Sequence, residues 1–159
     1  RFYNVLANRL EKFGLEVAAE KTNLMRFSPY HWIASGTFEF LGFEFRWGRG
    51  RWGKPVIKRR TARKKYRASL ASFQVWCRKH CRLPKAVLFA KLNAKLRGYY
   101  QYYGIRGNFE SLADFYHHAR RLLFRSLNRR SQRRSYNWKG FAELIKVFKL
   151  ERPHICHSF

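Results

Sequence analysis

Apolar residues in the second half of the chain recur at intervals of three and four, the period of one helix face. Tyr66, Leu70, Phe73 and Cys77 make the first stripe. Leu88, Leu92, Leu96 and Tyr99 make the second, opened by Pro84 and ended by Gly104 and Gly107. A third holds Leu112, Phe115, Ala119, Leu122, Phe124 and Leu127, with Phe124 off its centre. Asn108 is its predicted cap, and Glu110 suits the positive end of its dipole. In the fourth, Asn137 precedes Trp138, Phe141, Leu144, Ile145 and Phe148. The first third of the chain reads differently. Phe2, Val5, Leu6, Arg9, Leu10 and Phe13 predict a helix stopped at Gly14. Leu15 to Val17 and Asn23 to Phe27 predict two short strands around a turn at residues 18–22. Thr37 to Trp47 is the strongest predicted strand. Phe38 and Phe40 lie on one face, whereas Leu41, Phe43, Phe45 and Trp47 lie on the other. That change of phase at Leu41-Gly42 predicts a bulge. Pro55 to Arg59 then returns as a partner strand across an exposed loop at Gly48, Gly50 and Gly53. The predicted fold class is α+β, a short β-hairpin followed by a mainly α-helical domain.

Charge divides the chain. Residues 1–57 carry 9 Lys and Arg against 5 Asp and Glu, and residues 58–159 carry 26 against 4. Two parts are therefore expected, 1–57 and 58–159, meeting near Lys58. Any single Arg is explained by a solvated helix face. The set is not, because 4 acidic residues cannot balance 26 cations in that part. A polyanionic partner is implied, nucleic acid first and an anionic membrane surface second. An apolar share of 46% and an aromatic share of 18% suit a packed core rather than a disordered basic tail. No apolar run reaches the length of a membrane-spanning helix. Arg63, Lys64 and Arg67 fall off the first stripe, and Arg120, Arg121 and Arg125 recur along the third. Arg129, Arg130, Arg133 and Arg134 cluster around Gln132. The excess of Arg late in the chain favours forked contacts to phosphate. Gln132 is suited to a ribose or a base edge.

Tyr99, Tyr100, Tyr102 and Tyr103 form a dense aromatic patch flanked by Arg97 and Arg106. Rings so placed stack on bases or pack helix against helix. Packing accounts for most of them, since they continue the Leu92–Leu96 stripe. Cys77, Cys81 and Cys156 are odd in number and lack a framework spacing, which argues for a reducing compartment and no disulfide scaffold. His154, Cys156 and His157 match no zinc-finger spacing, so no metal site is expected. His80, His117 and His118 have no triad context. Asp114 is the only Asp, so a reaction that needs paired Asp metal ligands is excluded on this chain alone. The chain opens at Arg1, and its only Met is Met25. It reads as a piece of a longer protein whose missing part lies upstream.

Phe13-Gly14-Leu15, Glu20-Lys21-Thr22 and Phe38 to Phe43 (FEFLGF), in that order, resemble the sixth and seventh conserved blocks of a reverse transcriptase palm. Arg97 to Gly107 (RGYYQYYGIRG), Asn128 to Arg134 (NRRSQRR) and Ser135 to Phe141 (SYNWKGF) resemble the thumb, or maturase-specific X domain, of bacterial group II intron-encoded proteins. The resemblance spans almost the whole chain, and the order of its blocks makes it specific. It implies the C-terminal part of a multifunctional RNA-directed DNA polymerase: the end of the palm over 1–57 and a helical thumb/X domain over 58–159. Its implied partners are group II intron RNA, an RNA/DNA primer-template, and the fingers and palm of the same protein upstream, with no membrane. It implies a place in the bacterial cytoplasm, at the nucleoid. The paired aspartates that hold Mg²⁺ in such a palm would lie before Arg1, so no cofactor is expected on this chain and no polymerase activity from it alone. By the resemblance, Lys21 matches a palm lysine that neutralises or protonates leaving pyrophosphate; on this chain it is a turn lysine beside Glu20. Leu41, Gly42 and Phe43 match the primer-grip turn, where glycine lets backbone approach a primer strand. The further DNA-binding and endonuclease regions of some relatives are not expected in Glu151 to Phe159. The implied nucleic-acid contacts are then Leu41, Gly42, Phe43, Arg63, Lys64, Arg67, Arg97, Tyr99, Arg106, Arg129, Arg130, Gln132, Arg133 and Arg134. The rival expectation is a stand-alone basic RNA-binding protein, such as a ribosome-associated factor, or the remnant of a decayed intron protein.

Overall fold

The computed structural model describes residues 2–18, 20, 22, 25–31, 36–129 and 135–157. They fall into two compact units, Arg1–Gly36 and Thr37–Phe159. In the first, helix α1 covers Phe2–Glu11 and a single 3-10 turn covers Pro29–His31. Gly14, at φ +68°, ends α1 as its sequence predicts, with the Leu15 N–H donating back to Leu10 O at 3.0 Å. The strands predicted on either side of residues 18–22 do not form. Leu15 to Val17 and Met25 to Phe27 carry no ladder hydrogen bonds, and Asn23 and Leu24 lie outside the described residues. A run of three residues without a sheet neighbour has nothing to satisfy its backbone as a strand.

The second unit opens with an antiparallel three-stranded sheet, β1 (Phe38–Phe40), β2 (Phe43–Arg49) and β3 (Pro55–Thr61), in the order β1-β2-β3. The bulge predicted at Leu41-Gly42 is instead a two-residue hairpin turn. Both residues have positive φ, 49° and 80°, as in a type I′ turn. Reversing the chain there pairs Phe38 with Phe45 and Phe40 with Phe43, so the aromatics that a straight strand would split share one face. The rings of Phe38 and Phe45 stack at 5.1 Å. A leucine in the left-handed region is strained, and both carbonyls of the turn are held. Tyr102 Oη donates to Leu41 O at 2.9 Å, and the Ala62 N–H donates to Gly42 O at 2.8 Å. Directly opposed Glu39 and Glu44 repel each other. Glu44 is answered from β3 by Arg60, whose Nε donates to Oε1 at 2.8 Å. The charge shift near Lys58 falls inside β3.

Four helices follow: α2 (Arg63–His80), α3 (Lys85–Tyr103), α4 (Phe109–Asn128) and α5 (Trp138–Val147). The architecture is therefore α+β. The first three predicted stripes each lie within one helix, the fourth runs from α5 onto the capping residue Phe148, and their inner positions meet in one core. Phe73 and Cys77, Leu88, Leu92 and Leu96, Leu112, Phe115 and Leu127, and Phe141 are all buried there. On α4 the buried residue is Leu123, 1% exposed, while the predicted Leu122 is only half-buried. Counting in steps of four from Phe115 through Ala119 leads to Leu123, which the sequence reading passed over.

Asn108 stands at the N-cap position of α4, but its side chain makes no cap. It is buried and spans three elements: Thr61 N–H donates to its Oδ1 at 2.8 Å, and its Nδ2 donates to Thr61 Oγ1 and Tyr103 O, each at 2.9 Å. Asn137 does cap α5, accepting from Gly140 N–H at 2.7 Å. After α5 the chain returns along the end of α3. The Cys156 and His157 N–H groups both donate to Gly104 O, at 2.7 and 2.9 Å. A Cβ on residue 104 would collide with Tyr100 O and meet His154 O at 3.0 Å, so only glycine fits beneath this tail.

Candidate nucleic-acid interface

The stripe that turns Phe73 and Cys77 inward leaves Gln74, Arg78 and Arg82 at spacings of four, on a neighbouring ridge running from α2 into the turn after it. On α4, Leu122, Arg125 and Arg129 likewise flank the buried Leu123, Ser126 and Leu127. Because α2 packs along α4, the two ridges face each other across an open cleft. Its main part has a volume of about 990 Å³ and is lined by Gln74, Arg78, Arg125, Arg129 and the α5 start at Asn137 and Trp138. A second part of about 810 Å³ shares Arg78, Ser126 and Arg129 and adds Lys79, Cys81 and Arg82.

The cleft is cationic without internal compensation. Arg78, Lys79, Arg82, Arg125 and Arg129 are exposed, and no carboxylate lies within 4 Å of any of them among the described residues. The first turn of α5 adds backbone N–H groups that have no partner within the helix and carry partial positive charge. Asn128 fixes the rim. Its Nδ2 donates to Tyr136 O at 3.0 Å and its Oδ1 accepts from Tyr136 N–H at 2.9 Å, tying the end of α4 to the approach of α5. Such a surface attracts phosphate oxygens, and its arginines can hold them in forked pairs.

Of the basic residues singled out in the sequence, Arg125 and Arg129 line this cleft. Lys21, Arg130, Gln132, Arg133 and Arg134 lie outside the described residues. Arg63, Lys64 and Arg67 are exposed at the start of α2, and Arg63 stands about 22 Å along the helix from Arg78. Arg97 is exposed and pairs with Glu151 at 3.5 Å, and Arg106 is exposed beyond the end of α3. The Tyr99 ring stacks on Phe115 at 3.8 Å, which places it between helices. Burial pushes the Tyr99 and Tyr100 hydroxyls well above the usual phenol range, so both stay protonated. Leu41 is exposed at its turn, and Phe43 is buried against Tyr102 and Tyr103. Sequence reasoning missed Gln74, Arg78, Lys79 and Arg82, although their offset from the first stripe was present to be read.

Asp114 is exposed on α4, and no three His, Cys, Asp or Glu side chains gather as a metal site among the described residues. Cys77 is buried, which pushes its thiol up to about 12 and makes it a packing group. No described helix is long and apolar enough to cross a membrane.

Residues 70–142 match the family model described as the group II intron, maturase-specific domain. The match runs from Leu70 in α2 to Ala142 in α5 and takes in both ridges of the cleft. No curated protein and no solved structure matches the chain.

Proposed function

We propose that this chain binds group II intron RNA through the cleft between α2 and α4 and helps that RNA reach its splicing-competent shape. The observation that carries this reading is the coincidence of the maturase-specific match with both cationic ridges. Compacting a large RNA brings phosphates together, and a rigid array of arginines offsets their repulsion. The RNA then performs the splicing chemistry, and the protein supplies no reacting group. Within a longer polymerase the same unit would hold primer-template during reverse transcription, with Mg²⁺ held by aspartates outside this chain. The maturase-specific match favours an intron partner over a ribosome-associated one.

Filter binding of the chain to a folded group II intron transcript, beside an unrelated structured RNA of equal length, tests the proposal across 50–200 mM salt. Tighter binding to the intron, falling steeply with salt, is expected. Equal affinity for both RNAs would overturn the intron assignment. Absence of salt-dependent binding to either would overturn RNA binding itself.

A further inference from the structure

Trp138, the first residue of α5, is 53% exposed. One face of its indole stacks on Phe124, with centroids 4.0 Å apart and planes 14° from parallel. Phe141 meets it edge-on at 5.9 Å and itself fills the core beneath. Ring packing therefore uses one face and one edge of the indole, and no described ring covers the other face of this exposed residue. Cations lie on both sides of it. Trp138 lines the main cleft with Arg125 and Arg129, and also a smaller hollow of about 250 Å³ with Arg120 and Arg121.

We infer that Trp138 is a stacking platform for an unpaired RNA base. This rests on the RNA-binding reading and deepens it: the cleft takes a strand with a bulged or looped-out nucleotide, not a continuous duplex. The flanking arginines hold the phosphates on either side of that nucleotide, and the open indole face receives its base. A base inside a duplex offers no free face, so stacking selects for unpaired nucleotides. Phe124 behind the indole keeps the ring in place before the base arrives.

The test uses the whole chain and three RNA hairpins: one with a single-adenosine bulge, one with an abasic residue at the bulge, and one fully paired. The wild-type chain should prefer the adenosine bulge over the abasic one by about 5- to 150-fold, the range of one base–aromatic stack. W138A and W138L should bind all three hairpins at the abasic level, and W138F should keep most of the preference. W138L retains an apolar group on Phe124, so it separates stacking from packing. With 2-aminopurine at the bulge, the wild-type chain should change the probe's fluorescence by stacking and W138L should not. Equal wild-type affinity for the bulged and abasic hairpins would overturn the platform. So would a Trp138 substitution that weakens all three hairpins by the same factor, the mark of a packing role. If the wild-type chain bound none of the hairpins in a salt-dependent way, the RNA-binding reading would fall, and the platform with it.

Discussion

Replacing Arg78, Arg82, Arg125 and Arg129 together by Ala deletes cations from both ridges of the cleft. None is buried and none has a carboxylate partner within 4 Å among the described residues, so the change removes charge without opening the core. Alanine is also the best helix former, so α2 and α4 should persist. If each arginine neutralises one phosphate, the slope of log affinity against log salt should flatten by about 0.7–0.9 per contact, or about 2.8–3.6 for four. Between 50 and 200 mM salt, a slope difference of that size makes the wild-type affinity fall about 50- to 150-fold further than the variant's. Filter binding at four salt concentrations measures the slope, and circular dichroism reports whether the helices remain. Arg63, Lys64 and Arg67 replaced together by Ala serve as comparison, since they lie at the far end of α2. An unchanged slope in the folded cleft variant would refute the placement of the RNA face, and a flattened slope in the α2-start variant alone would move that face to the first turns of α2.

Asn108→Ala leaves the buried Thr61 N–H without its acceptor, while Tyr103 O keeps the Ile105 N–H; for one orphaned group a loss of about 1–3 kcal/mol is expected. Urea denaturation measures it, and a loss below about 1 kcal/mol would mean that Asn108 does not join β3 to α3. Cys77, buried and with its thiol pushed up to about 12, should resist a thiol reagent at pH 8 in the folded chain, while the more accessible Cys81 reacts first. Peptide mapping of the labelled chain checks this, and labelling of Cys77 at the rate of Cys81 would contradict its burial. Folded Cys77, Tyr99 and Tyr100 keep protons that the unfolded chain releases from about pH 9 upward. The unfolded state then binds fewer protons than the folded one, so stability should fall as pH rises from about 9 towards 12. A urea midpoint that holds steady or rises from pH 8 to pH 10.5 would contradict that sign.

The sequence by itself determined the four late helices, the stop at Gly14 and the cap at Asn137, because each depends on residues within a turn or two of one another. It also determined that a cationic surface exists, since 26 Lys and Arg against 4 Asp and Glu cannot be cancelled by any arrangement of residues 58–159. The change of phase at Leu41-Gly42 was equally visible, but a bulge and a chain reversal shift an alternating pattern alike. Only the pairing of Phe40 with Phe43 decides between them, and that pairing is a contact rather than a pattern. Asn108 shows the same limit. Its position beside a helix start is local, while its burial against Thr61 and Tyr103 depends on where β3 and α3 come to lie. The cleft depends most of all on tertiary packing. A helix of 18 residues can expose cations around much of its circumference, and which of them form one site is set by the neighbour that covers the rest. The packing of α2 along α4 brought Arg78 and Arg82 to face Arg125 and Arg129 and left Arg63, Lys64 and Arg67 about 20 Å away, a distance set by the rise of the helix.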